Sequence, residues 1–167
     1  MFSLPDNCKI TQAVPVTRGV AANGDWVCLK GYKKAMCIIN IVTGADDTEL
    51  TFKISRATSV AGADAAVEMT MKNFWTLYNG VSALPVADAM TKGTAATSIE
   101  TLTDQSTSHM IIIDIDAEEL PNSTADYDCL QLVISGGNAA HTYSAVWVLY
   151  HPRHAEAHAD QLTAIAD

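Results

Sequence analysis

Charge is scarce in this chain, and basic charge scarcer still. Of 167 residues only 17% are charged, and ten Lys and Arg face nineteen Asp and Glu for a net charge of −9. No basic cluster offers counterions to phosphates, which excludes nucleic acid and anionic membranes as expected partners. Hydrophobic residues, at 49%, make the composition too apolar for disorder and leave apolar surface for partners to cover. No run of about 18 apolar residues occurs, so no transmembrane helix is expected. The opening Met1–Asn7 has neither a basic nor an apolar region, so no secretory leader is expected and the chain reads as made in a cytosol.

Motifs of chemistry are missing as well. Cys8, Cys28, Cys37 and Cys129 are scattered without a C-x-x-C pair, which excludes a zinc ribbon. Cys37 and Cys129 fall in apolar strands, where a thiol behaves as a small hydrophobe, so buried free thiols are expected. There is no G-x-S-x-G elbow. Gly136-Gly137-Asn138 follows a strand but opens no helix and lacks Lys, so it reads as a tight turn and not a phosphate loop. The sequon Asn122-Ser123-Thr124 has no meaning without secretion.

What the sequence does have is period-two alternation. In Thr48–Arg56, Leu50, Phe52 and Ile54 face one way while Glu49, Thr51, Lys53 and Ser55 face the other. Ala66–Lys72 places Val67, Met69 and Met71 inward, and Asp128–Ser135 does so with Leu130, Leu132 and Ile134. These read as half-buried antiparallel strands with one wet face. Ala35–Val42, His109–Ile115 and Tyr143–Tyr150 are apolar on both faces, so each needs cover on both sides, from a sandwich or from a subunit contact. Ile10–Val16, interrupted by Pro15, suits an edge, and Asp25–Lys30 is a shorter candidate. Phe74–Tyr78 extends the Ala66–Lys72 strand or caps the core beneath it, and Asn79-Gly80 then forces a turn.

Ser82–Gln105 reads as a long irregular surface excursion. Helical signal appears only at the end, where Pro152 suits a first helical turn before the Ala-rich His154–Ala166. The expected fold is all-β, a jelly-roll-like antiparallel sandwich, since strands succeed one another with no alternating helices. It is divided into an N-terminal arm (1–9), a sandwich domain (10–151) and a C-terminal helical tail (152–167).

Three clusters carry residue types suited to chemistry. On a helix His154 and His158 lie one turn apart, but no third ligand is fixed, so a solvated or interface-bound tail is expected and no metal. Asp114 and Asp116 share a strand face about 6–7 Å apart. A glycosidase pair also needs a cleft and stacking aromatics, which the neighbouring residues do not supply. Asp46, Asp47 and Glu49 lack the spacing of a calcium loop and read as a hairpin turn. No catalytic residue and no cofactor is expected.

One resemblance adds to this. The order Ile38–Gly44 (apolar strand and Thr-Gly turn), Leu50-Thr51-Phe52-Lys53-Ile54, Ala57–Gly62 and Phe74-Trp75, followed by Ile111–Ala117 and Tyr127–Leu132, resembles small structural proteins of tailed bacteriophages. These are capsid decoration or cement proteins. The resemblance covers Ala35–Tyr150 and is a pattern of strands and turns. It implies a non-enzymatic virion protein on the capsid surface, assembled in the host cytoplasm, that acts as a dimer or trimer and clamps major capsid proteins. Terminal apolar anchors fit such a role: Phe2, Leu4 and Pro5 at one end, Leu162 and Ile165 at the other. The alternatives are a head-tail joining or tail structural protein, and a carbohydrate-binding or hydrolytic sandwich.

Overall fold

The computed structural model describes residues 8–19, 21–44, 48–61, 66–79, 89–101, 108–121 and 125–153. Twelve strands run through them: β1 (Cys8–Arg18), β2 (Ala22–Asn23), β3 (Val27–Cys28), β4 (Tyr32–Val42), β5 (Leu50–Ala57), β6 (Val67–Glu68), β7 (Asn73–Asn79), β8 (Thr91–Lys92), β9 (Ile99–Glu100), β10 (Ser108–Asp116), β11 (Cys129–Gly136) and β12 (Thr142–Pro152). A short 3-10 turn at Ala117–Glu119 is the sole helical element among the described residues.

The strands form two antiparallel sheets. The first has the order β1-β12-β4-β10-β7-β8, and the second β2-β11-β5-β6, with β3 also beside β11 and β9 beside β5. The path is that of a jelly roll. Taking β1, β2, β4, β5, β6, β10, β11 and β12 as strands one to eight, the sheets read 1-8-3-6 and 2-7-4-5. Strands β7 and β8 lie between the fifth and sixth of these in sequence, and extend the first sheet beyond β10.

The alternation sets which face is covered. Ala35, Cys37, Ile39 and Ile41 of β4, Ile111, Ile113 and Ile115 of β10, and Tyr143, Ala145, Trp147 and Leu149 of β12 point inward. They meet Leu50, Phe52 and Ile54 of β5 and Leu130, Leu132 and Ile134 of β11. Each fully buried Ile, Leu or Phe side chain among them contributes about 1.5–3 kcal/mol of transfer free energy. The expected burial of Cys37 and Cys129 is found, and all four cysteines are free thiols.

Pro15 sits exposed on β1, an edge strand whose register shifts twice, between Gln12 and Val14 and between Val14 and Thr17. A residue without an N–H is tolerated there because no further strand needs its donor. The strand starts at Cys8, so Cys8 and Lys9 belong to the sheet, paired with Tyr150 and Leu149.

Four expectations are corrected. Ala66–Lys72 is strand only at Val67–Glu68; Met71 makes an isolated bridge to Ala96, although Met69 and Met71 are buried as expected. Phe74–Tyr78 does not extend that strand: β7 crosses to the first sheet, because its ladder partner is β10. The excursion Ser82–Gln105 is tied down at both sheets, β8 pairing with β7 and β9 with β5, and Ile99 is buried. Pro152, expected in a helix, ends β12 opposite Tyr32, and the N–H of the next residue, Arg153, donates to the Gly31 carbonyl at 2.9 Å. A ladder already formed over ten residues outweighs the weak local preference of one Pro at its end. The Gly136-Gly137 turn does join β11 to β12, as expected. Residues 154–167, where the helical tail was expected, lie outside the described residues, as does Gly80.

Candidate functional site: the outer face of the first sheet

Directly opposed residues of an antiparallel ladder project on the same side. The register of the first sheet therefore gives its outer face row by row. One row runs Ile10, Val148, Met36, Asp114 and Asn73; the next Gln12, Val146, Ile38, Ile112, Trp75 and Lys92; a third Ser144, Asn40, Met110 and Leu77. The middle of this face is apolar. Met36, Ile38, Trp75, Leu77, Met110, Ile112, Val146 and Val148 are half-buried, and Ile10 is 53% exposed.

Polar groups frame the patch. At one end Lys34 holds Asp116 at 3.0 Å and Asp114 at 3.8 Å, and the Tyr150 hydroxyl donates to Asp114 Oδ1. The Asp116 hydrogen bond is the main cause that raises the Lys34 pKa, while burial, reinforced by the Asp114 bond, raises that of Tyr150. At one edge the Lys92 ammonium lies 5.7 Å from the Trp75 ring centre, a cation–π contact. At the other end Asn40, Ser108, Thr142 and Ser144 join Val16, Val42 and Met110 around a depression of about 220 Å³.

The outer face of the second sheet is a contrast. There Thr51 and Lys53 alternate with the core residues of β5, Gln131, Val133 and Ser135 with those of β11, and Lys53 pairs with Glu68 at 2.8 Å. This is the wet face that the sequence pattern predicts for Thr48–Arg56, except that Ser55, expected to face water, is buried. One outer face is built for water and the other is largely not.

Asp114 and Asp116 share a face, as the alternation predicts. They are engaged by Lys34 and Tyr150 at the rim of an apolar sheet, an ion cluster of small energetic weight, roughly 0–1 kcal/mol per exposed pair. The anchors Phe2, Leu4, Pro5, Leu162 and Ile165 lie outside the described residues, as do His154, His158, Asp46 and Asp47. The residues of the apolar rows, Ile10, Met36, Ile38, Trp75 and Met110 among them, belong to no motif of chemistry. Their signal was in plain view: three strands apolar on both faces, of which a sandwich covers only one.

No protein-family model matches the sequence, and no curated protein matches it. Among solved structures the chain is similar to the crystal structure of the SPBc2 prophage-derived protein YomS, at 8% identity, over 85% of this chain and 93% of that one, with a TM-score of 0.44.

Proposed function

We propose that the protein is a non-enzymatic structural subunit of a tailed-phage virion, a capsid decoration protein that packs the outer face of its first sheet against another protein surface. The observation that carries the reading is the apolar centre spanning β12, β4 and β10 inside a polar frame, the layout of a protein interface, with an apolar middle and a wet rim. The sequence pattern supplies the virion context. The net charge of −9 keeps the subunit from competing for packaged DNA. Its partners are further copies of the chain, as a dimer or trimer, and the major capsid protein. The terminal segments with Phe2, Leu4, Pro5, Leu162 and Ile165 reach neighbouring subunits and add apolar contact.

The test is to purify particles produced by the genome that encodes this chain, identify it by mass spectrometry and locate it by cryo-electron microscopy. The expected result is jelly-roll density on the outer capsid with the β4–β12 face against protein. Absence of the chain from purified particles would overturn the reading. Density confined to the neck or tail would replace decoration by a joining or tail role.

A further inference from the structure

On the second sheet Cys28 and Cys129 are register partners of the β3–β11 ladder. The Leu29 N–H donates to the Asp128 carbonyl at 2.8 Å, one residue beyond the pair. That bond makes Cys28/Cys129 a non-hydrogen-bonded pair, the kind whose side chains approach most closely across antiparallel strands. The Asp128 carboxylate and both sulfurs lie within 4.8 Å of one another. Cys129 donates its S–H to Asp128 Oδ1 at 3.0 Å, and the Lys30 backbone N–H donates to Cys28 Sγ at 3.4 Å. Cys129 is buried and Cys28 only half-buried, so a reagent from solvent meets Cys28 first.

We propose that Cys28 and Cys129 are a reversible redox site, closed to a cross-strand disulfide by hydrogen peroxide and reopened by thiols. The Cys28 thiolate attacks one peroxide oxygen; the O–O bond breaks, a proton is taken up, and water leaves, giving the Cys28 sulfenic acid. Cys129 then attacks the Cys28 sulfur, the S–O bond breaks, and the Cys129 proton, relayed by Asp128, goes to the departing hydroxyl, which leaves as a second water. Two electrons pass from the sulfur pair to the peroxide. Environment favours the first step: the adjoining Cys129 thiol and the Lys30 amide lower the Cys28 thiol to about 6, whereas Cys37 is pushed up by full burial. The same three side chains also resemble metal ligands, but the Lys30 ammonium already holds Asp128 at 3.2 Å, and a cation has to displace it. This site is independent of the virion role.

The test uses the reduced full chain treated with hydrogen peroxide. Intact mass is expected to fall by two hydrogens, a non-reducing peptide map to join the Cys28 and Cys129 peptides, and dithiothreitol to restore both thiols. Closing so long a loop is expected to raise the thermal midpoint by about 5 °C or more. Before oxidation Cys28 is expected to alkylate at neutral pH about tenfold faster than Cys37. In Cys129→Ser, Cys28 is expected to stop at a sulfenic acid that dimedone traps. Four intact thiols after peroxide, or a crosslink between any other cysteines, overturns the proposal. So does protection of both thiols from alkylation by equimolar zinc with no disulfide on oxidation, which makes the cluster a metal site. The wild-type peptide map decides the matter even if the variant fails to fold.

Discussion

Ile38 and Ile112 stand directly opposite each other across the β4–β10 ladder, both projecting from the outer face of the first sheet. Their neighbours Ile39 and Ile111 point the other way and are wholly buried against the second sheet. A pair of isoleucines thus occupies the centre of a face where solubility alone calls for polar residues.

A charge at that centre separates folding from association. Ile38→Glu is half-buried at a position outside the core, so a loss of about 1 kcal/mol or less in unfolding free energy is expected. Self-association or capsid binding through this face is expected to fall at least tenfold, as a buried unpaired carboxylate opposes any apolar partner. Sedimentation velocity beside denaturant unfolding checks both. Unchanged assembly in a folded Ile38→Glu variant would remove this face from the interface.

The turn between β11 and β12 gives a backbone test. Gly136 and Gly137 both have φ of +74°, and a Cβ at Gly136 would lie 2.3 Å from the Glu49 carbonyl oxygen. That oxygen also accepts the Gly137 N–H at 2.8 Å, so it has little freedom to withdraw. Gly136→Ala is expected to destabilise by about 1–3 kcal/mol. Gly31→Ala is the control: a Cβ there meets nothing within 4 Å, and its effect is expected to stay within about 1 kcal/mol of zero or slightly stabilise. Urea unfolding of the two variants side by side measures the difference.

Much of this architecture was legible because one-sided strands announce themselves. Leu50/Phe52/Ile54 and Leu130/Leu132/Ile134 alternate cleanly, and Pro15 marks an edge. Sheet membership was not legible. The buried positions change phase between Met71 and Phe74, which marks a break after β6, yet a long-range partner, β10, decides where β7 pairs, and no local pattern encodes that choice. Pro152 carried a helical signal that the ladder to Tyr32 overrides. The candidate face was half legible: the two-sided apolarity of β4, β10 and β12 showed that cover is needed, but not which side the second sheet supplies. The Cys28–Cys129 pairing joins residues far apart in sequence, so it could be read only from the register.

Core truncation tests the inner layer against the outer. Phe52 is fully buried and paired across the ladder with Ile134. Phe52→Ala is expected to cost about 3–5 kcal/mol, the lost transfer free energy plus a cavity that a stiff sandwich cannot close. Thr51→Ala, its outward-facing neighbour, is expected to change stability by about 0.5 kcal/mol or less. Equilibrium unfolding of both variants checks the assignment of faces, and similar losses in the two would contradict it.

His109 gives the fold a pH dependence. It is buried at the inner end of β10, where its Nε2 lies 3.2 Å from the Thr43 hydroxyl. Burial, assisted by the nearby His141, lowers its pKa from 6.5 to about 4. The unfolded chain therefore binds a proton at this position over a range where the folded chain does not. Stability is full above pH 6.5 and declines as pH falls from there toward about 4, the loss reaching about 3 kcal/mol from this group. Denaturant unfolding between about pH 7.5 and 4.5 measures the slope, and His109→Gln isolates it from carboxylates that titrate in the lower part of that range. The wild-type chain is expected to lose stability on acidification faster than His109→Gln, with the gap opening just below pH 6.5. Parallel curves for the two proteins would show that His109 titrates alike folded and unfolded, and that its burial does not exclude the charged ring.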